Sequence, residues 1–506
     1  LDKLDVILEE KFGFKSFRPG QKDIIQSVLN GLDVLAILPT GAGKTLCYQY
    51  PSKMISGLTI VVSPLLSLME DQVHQLRAAG DKTVYQLNSM LTFSERKYVL
   101  SQLKDDSMLF ISPEMLGSEY IQKQLKSHPV GLFVVDEAHC ISQWGHEFRT
   151  DYLRLKEVRK ALGSPPCLAL TATATPEVED DIKKELHMRS PVVHRFSVNR
   201  ENIRLIVEEA NGVKEKEQLF IKSLEYIETP AIIYTATRNG AIEIAEKLKE
   251  KGITNTAYYH GGMSKEDRLL VQYQFLKDEL DIICATNAFG MGVNKSNIRT
   301  VVHLHLPSSA EQYIQEIGRA GRDGKQSSSV LFFTKEDRRV PLNFIAQEFP
   351  TENELKVWFQ SGLHTNGRIE AEELKQIYRI DETRWKMLSY YLQKADMIDG
   401  DYILLEKIND DMLNRLNHHF FGRKKKKETR FALFEELVLG ENCIRSAILM
   451  YFGEEPSSLR ENCCSKCGVK LTDLKKGGLT SDIDKEVFSW DIQLKRMFFP
   501  TTDGGS

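Results

Sequence analysis

No apolar run in the sequence approaches the ~18 residues that a helix needs to span a membrane, so no transmembrane helix is expected. The first ten residues, LDKLDVILEE, have neither the basic start nor the apolar stretch of a secretory leader. An excess of one charge is also missing. The 67 Lys and Arg against 71 Asp and Glu give −4, which argues against a compact, strongly basic nucleic-acid-binding domain. One channel lined with Lys and Arg within a large chain stays compatible with that balance. Cysteine is sparse, eight in 506 residues, which excludes the disulfide framework of a small secreted domain. Short-period repeats are absent too, so no solenoid is expected. With 42% hydrophobic residues the chain can build cores, and at ~100–200 residues each, about three or four domains are expected. The expectation is a soluble intracellular protein in the cytoplasm, with a nuclear address left open.

What is present is a repeated α/β pattern. Strands are expected at Val34–Leu38, Thr59–Ser63, Met108–Ser112, Gly131–Val135 and Cys167–Thr171, each a β-branched or aliphatic run of the kind buried parallel strands show. Helical stretches such as Leu65–Ala79 and Glu177–Leu186 lie between them. The pattern recurs at Ala231–Tyr234, Thr256–Tyr259, Asp281–Ala285, Thr300–Leu304 and Ser329–Phe333. Two α/β domains, 1–205 and 206–340, are therefore expected, each a parallel sheet wrapped by helices. In 341–420 two short helical segments are separated at Arg379–Glu382, with Asp381 or Thr383 as N-cap. An Asp-Gly turn between Met397 and Leu404 then signals a hairpin. Two helices and a hairpin describe a small winged helix; a helical spacer with a local hairpin is the alternative. The basic run Arg423–Arg430 suits phosphate contact or nuclear import, or simply a solvated helix start. An apolar helix from Phe431 to Tyr451 follows. Residues 421–473 then form a helical module bearing four of the cysteines, and 474–506 a tail, partly extended or disordered.

Thr40, Gly41, Ala42, Gly43, Lys44 and Thr45 follow a strand and precede a helix. A Gly-rich turn there exposes backbone N–H groups to phosphate, with Lys44 reaching the β and γ phosphates and the Thr45 hydroxyl ligating Mg²⁺. The strict pattern wants Gly where the chain has Leu38. Phe133-Val134-Val135-Asp136-Glu137 is an apolar strand ending in two acids: Asp136 suits Mg²⁺, held through water, and Glu137 suits a proton acceptor for the attacking water. Gln315-Glu316-Ile317-Gly318-Arg319-Ala320-Gly321-Arg322 offers two arginines, either of which could stabilise charge on a departing γ-phosphoryl group.

In this order the motifs resemble those of the superfamily-two helicases and, within them, the RecQ-like DNA helicases. Ser63-Pro64-Leu65-Leu66-Ser67-Leu68, Leu170-Thr171-Ala172-Thr173-Ala174-Thr175, Ile233-Tyr234-Thr235-Ala236-Thr237-Arg238, Tyr259-His260-Gly261-Gly262-Met263 and Ala285-Thr286-Asn287-Ala288-Phe289-Gly290-Met291-Gly292 complete the set. The resemblance implies two tandem RecA-like motor domains, ATP and Mg²⁺ as cofactors, and 3′→5′ movement on single-stranded DNA. It implies that Phe14 stacks on adenine, Gln21 reads its edge and Arg18 assists, and that Gln315 belongs to the catalytic set. Ser63, His260 and Thr286 are then candidates for backbone contacts to DNA. Gln143, Trp144, His146, Phe148 and Arg149 form a polar, aromatic loop directly after the acidic strand. Aromatic faces there suit stacking on unpaired bases, and the loop is similar to the aromatic-rich loop of RecQ-like enzymes.

Cys443, Cys463, Cys464 and Cys467 suit a tetrahedral Zn²⁺ site and resemble the RecQ zinc module, with Cys443 expected on a helix. The family usually separates its last three cysteines by two residues, whereas Cys463 and Cys464 are adjacent. Either the knuckle is rearranged or one of the two is not a ligand. The 341–420 insert before this module, and the short stretch after it, depart from longer relatives; their C-terminal winged helix and last helical domain are expected to be missing. The reading is an ATP-dependent helicase acting as a monomer on single-stranded and tailed or branched duplex DNA, in recombination and repair. Single-stranded-DNA-binding or repair proteins would be its partners. The alternative is a DNA-stimulated ATPase that remodels or anneals strands without efficient unwinding.

Overall fold

The computed structural model describes residues 3–64, 66–142, 149–290, 295–360, 367–456 and 462–474. Its first unit is a seven-stranded parallel sheet: β1 (Val34–Ile37), β2 (Leu58–Val62), β3 (Val84–Leu87), β4 (Met108–Ile111), β5 (Val130–Val135), β6 (Cys167–Thr171) and β7 (Val192–Arg195). The strand order is β3-β4-β2-β5-β6-β1-β7. Every residue of β1, β2, β4 and β6 is buried, as expected where helices cover both faces of a parallel sheet. Register pairs Leu35 with Ala169 and Val134 with Leu168, so β5, β6 and β1 end side by side. Loops leaving these three C-terminal ends converge on one crevice, where open α/β sheets bind ligands.

A six-stranded parallel sheet follows: β8 (Ile203–Glu209), β9 (Ala231–Tyr234), β10 (Thr256–Tyr259), β11 (Ile282–Ala285), β12 (Thr300–His303) and β13 (Ser327–Phe333), ordered β10-β11-β9-β12-β13-β8. Residue 205, the expected last residue of the first domain, lies inside β8, which pairs along its length with β13. The second sheet therefore begins before it.

The insert has strand β14 (Arg368–Glu370), helices Ala371–Ile377 and Glu382–Lys394, and a hairpin of β15 (Ile398–Asp399) and β16 (Tyr402–Leu404). These strands form a small antiparallel sheet ordered β14-β16-β15. Asp381 caps the second helix, accepting from Thr383 N and Arg384 N at 3.0 and 3.1 Å. A 30-residue helix, Asp410–Leu439, comes next. The basic run lies in its middle, not at a helix start. The single helix expected over Phe431–Tyr451 is two, because the first ends at Gly440 and the second spans Ile444–Tyr451. Cys443 is the N-cap of that second helix rather than a residue within it. The insert, both helices and the cysteine knuckle share one hydrophobic core with the second sheet. No helix among the described residues is long and apolar enough to cross a membrane.

Candidate active site

The turn after β1 needs its glycines. Gly41 and Gly43 have φ of +86° and +79°, a region that residues with a Cβ rarely adopt. A Cβ on Gly43 would also lie 2.6 Å from Gln21 Nε2. Gln21 Nε2 donates to Ala42 O and Gly43 O, both at 3.0 Å, and Arg18 Nη1 donates to Gly41 O. Gln21 and Arg18 thus stand against the phosphate loop, and Phe14, 53% exposed, is open to a ligand face. Leu38 is a core residue whose N–H donates to Thr171 O at 2.9 Å. It extends β1 by one rung, so this position belongs to the sheet rather than to the turn. The helix Lys44–Ser52 starts directly on Gly43 and aims its N-terminal dipole at the loop.

At the end of β5, Asp136 Oδ1 accepts from Glu137 N at 2.9 Å. Burial, reinforced by the neighbouring Glu137 carboxylate, pushes the Asp136 carboxyl up to about 6, the response of an acid waiting for a cation. Glu137 has φ +47°. This turn sets its Oε1 4.0 Å from Lys44 Nζ and its Oε2 3.4 Å from His139 Nδ1. His139 Nδ1 in turn lies 3.0 Å from Thr171 Oγ1 at the end of β6, linking the acidic pair to the third strand of the crevice. Thr45 Oγ1, expected on Mg²⁺, donates to Gln72 Oε1 at 2.9 Å. Sequence reasoning missed Gln72, since a lone Gln within a helix carries no signal.

The second sheet closes this crevice. Thr40 Oγ1 donates 3.1 Å to Gly318 O, at the end of helix Ala310–Ile317. Arg322 packs on the phosphate loop, its Cγ only 3.1 Å from where a Gly41 Cβ would be. Arg319 turns the other way, donating to Gly290 O within its own domain. Of the two candidate arginines, Arg322 is the one set against the first domain's phosphate loop. Arg200 supports it from the inter-sheet segment by donating to the carbonyls of Gly318, Ala320 and Gly321 at 3.2, 2.9 and 2.6 Å. Burial, with Arg319 and Arg200 adding like charge, presses Arg322 down to about 9, a strain that an anionic ligand would relieve. Buried Gln315 lies on the same helix.

Residues 18–182 match the DEAD/DEAH box helicase family, and 215–324 match the helicase conserved C-terminal domain. The chain is 43% identical to the probable ATP-dependent DNA helicase RecS of Bacillus subtilis (strain 168) over 509 residues, covering 100% of this chain and 99% of that one. It belongs to the RecQ-like family of superfamily-two helicases. The ATP-dependent DNA helicase RecQ of the same organism is 42% identical, over 69% of this chain and 59% of its own length. Among solved structures, the Mycobacterium smegmatis helicase Lhr bound to ssDNA and AMP-PNP shares the fold, with a TM-score of 0.53 at 20% identity over 76% of this chain and 55% of that one.

Of the positions that RecQ-like chains would use on DNA, Gln143, Trp144, His146 and Phe148 lie outside the described residues. Arg149 Nη1 donates to Pro64 O at 2.6 Å, which ties the end of that loop to the Ser63 segment. Ser63, His260 and Thr286 are all buried. Thr286 Oγ1 accepts from Ala288 N at 3.4 Å, and His260 Nδ1 from Gly262 N at 3.2 Å; both side chains shape their own turns. Lys265 and Glu70 bridge the motor domains at 2.9 Å.

The four cysteine sulfurs all lie within 4.8 Å of one another. Cys443–Cys463, Cys463–Cys467, Cys464–Cys467 and Cys443–Cys464 are 3.5, 3.6, 3.6 and 3.8 Å apart. Bonds of ~2.3 Å to a tetrahedral Zn²⁺ require S···S edges of about 3.8 Å, so the set fits that ion. Adjacent Cys463 and Cys464 both turn inward after Asn462, whose φ is +63°. Beside the knuckle, Arg445, which sequence reasoning passed over, grips the inter-sheet segment. Arg445 donates to Asn199 Oδ1 at 2.7 Å, to Arg200 O at 2.9 Å and to Ile203 O. Glu454 accepts from Val198 N at 2.9 Å, and Tyr451 Oη donates to Glu311 Oε1 at 2.8 Å on the Gln315 helix.

Proposed function

We propose that the chain is an ATP-driven helicase that moves 3′→5′ along single-stranded DNA and opens tailed or branched duplexes in recombination and repair. The observation that carries this reading is Arg322 of the second domain seated on Gly41 of the first. A nucleotide between them would be held from both sides, and the domains can close on ATP and part after hydrolysis. Lys44 and the loop N–H groups would take the phosphates; Thr45 and Asp136 would hold Mg²⁺, which neutralises phosphate charge when bound. Glu137 would accept the proton of the attacking water, with His139 and Lys44 orienting its carboxylate. Cys443, Cys463, Cys464 and Cys467 would hold Zn²⁺ as a structural cross-link, fixing Arg445 against the hinge between the motor domains. The insert is read as a winged helix and the working form as a monomer, acting on the nucleoid in a cytoplasm. Single-stranded-DNA-binding or repair proteins are the partners expected of such an activity.

One observation favours the alternative of remodelling without efficient opening. The wing turn is Asp399-Gly400-Asp401, two acids around a glycine, and the exposed aromatic beside it, Tyr402, lies under the Arg368 guanidinium at 4.9 Å. Helix Glu382–Lys394 also leans on the first domain, where Arg154 Nη2 donates to Gln393 Oε1 at 2.5 Å. ATP-dependent strand separation on matched duplexes with a 3′ or a 5′ tail decides between the two, with Glu137→Gln as control. Opening of the 3′-tailed duplex alone, lost in the mutant, supports the helicase. DNA-stimulated hydrolysis with neither duplex opened supports remodelling.

A further inference from the structure

The basic run of helix Asp410–Leu439 has no part in the ATP cycle just described, yet two of its residues line a cleft against the motor. This cleft, about 160 Å³, lies between that helix and helix Ala310–Ile317, and Arg319, Lys427 and Arg430 contribute cations to it. Arg319 is only 6% exposed, and its Nε has no hydrogen-bond partner among the described residues. Its Nη1 already donates to Gly290 O, but a buried Nε left without an acceptor still carries a desolvation cost that an anion in the cleft would relieve. Two acids also face the cleft, and both are engaged. Glu316 accepts from Gln312 Nε2 at 3.0 Å and lies 2.8 Å from His303 Nε2, while Glu348 accepts from Lys427. Arg430 has Glu177 at 3.7 Å, outside the cleft lining.

The remaining lining favours an anion. Ser309 caps helix Ala310–Ile317, accepting from Gln312 N at 3.2 Å and keeping its own proton to donate, and the start of the helix adds its dipole. Asn287, next to Thr286, adds an amide to the lining. The three cations come from two separate parts of the chain, so only the folded protein gathers them.

We propose that this cleft seats a backbone phosphate of the bound DNA strand. The proposal rests on the helicase reading and deepens it. Because Arg319 stands three residues before Arg322, a phosphate drawn onto Arg319 would report strand occupancy to the arginine on the phosphate loop.

The test is binding of a fluorescein-labelled oligothymidylate by the full chain, followed by anisotropy across a sodium chloride series. Lys427→Gln/Arg430→Gln should make the slope of log K against log[salt] shallower by about 0.7, the signature of one lost phosphate contact on a single strand. The ATPase of this variant should need more oligothymidylate for half-maximal stimulation. Lys425→Gln removes one charge from an exposed position on the same run and should leave the slope in place. Lys427→Arg in the Arg430 background should restore it, showing that charge at the cleft and not helix integrity is read. Inorganic phosphate should compete with the oligonucleotide on the wild type and lose that competition in the double variant. An unchanged slope in the double variant, or an equal change in Lys425→Gln, overturns the proposal. Phosphate binding that disappears in the double variant while the DNA slope stays would mean a free-anion site and overturns the strand assignment. A wild type that binds no oligothymidylate overturns the helicase reading itself.

Discussion

Replacing Arg322 by Ala tests whether the two motor domains share one nucleotide. The aliphatic stem of the side chain lies on Gly41 of the phosphate loop, and a guanidinium about 4 Å from the transferring phosphoryl group sets the magnitude. A unit charge pair at that distance is worth about 4 kcal/mol at an effective dielectric constant near 20. That energy corresponds to about a thousandfold in rate and falls at the lower end of the 10³–10⁵ range for arginine fingers. Turnover should be measured by phosphate release at saturating ATP and oligothymidylate, alongside the affinity for a fluorescent nucleotide. Arg322→Ala is expected to lose about three decades in kcat with little loss of nucleotide affinity, since the contact strengthens as charge spreads in the transition state. Arg322→Lys keeps the charge without the planar fork and should fall between. Arg319→Ala should lose less in kcat than Arg322→Ala, because Arg319 turns to Gly290 O and away from the loop. A kcat within about tenfold of wild type for Arg322→Ala, or the two variants in reverse order, would refute the assignment.

Asp136 is raised from 3.8 to about 6. An acid whose folded pKa exceeds its unfolded value stabilises the fold at low pH, and that contribution is lost as pH climbs between the two values. Mg²⁺ would offset the charge that remains above that window. The acid limb of kcat/KM should therefore lie near pH 6 and move lower as Mg²⁺ is raised; a limb indifferent to Mg²⁺ would contradict this. Cys463→Ser and Cys464→Ser should each abolish bound zinc, read by atomic absorption, and lower the melting temperature. Full zinc retention in either would reduce the ligand set to three. Asp33 accepts from Arg159 Nη2, Cys167 N and Arg189 N at 2.5, 2.9 and 2.7 Å. Asp33→Ala strands a buried guanidinium and should cost about 3–5 kcal/mol in denaturant unfolding of the first domain. A loss below about 1 kcal/mol would show that water takes the carboxylate's place.

The interior of both sheets and the local chemistry of the crevice are legible in residue order alone. Strands such as Cys167–Thr171 and Ala231–Tyr234 are covered on both faces, so burial demands an unbroken apolar run that can be read directly. The strands overlooked in the two large sheets, Val84–Leu87, Val192–Arg195 and Ile203–Glu209, all lie at sheet edges, where half-exposed positions admit Gln, His, Arg and Glu and blur the pattern. Phosphate loop, acidic pair and arginine motif were legible because each is a contiguous turn whose residue types the chemistry dictates. Which arginine reaches the phosphate loop follows from domain packing, since Thr40 and Gly318 meet across 278 residues of chain and no local signal encodes that distance. The same holds for Gln72 on Thr45 and for Arg445 on the hinge, single polar residues whose partners come from distant elements. The inward turn of both Cys463 and Cys464 was likewise unreadable. It depends on a left-handed backbone at Asn462, a conformation set by the docking of the knuckle against β8.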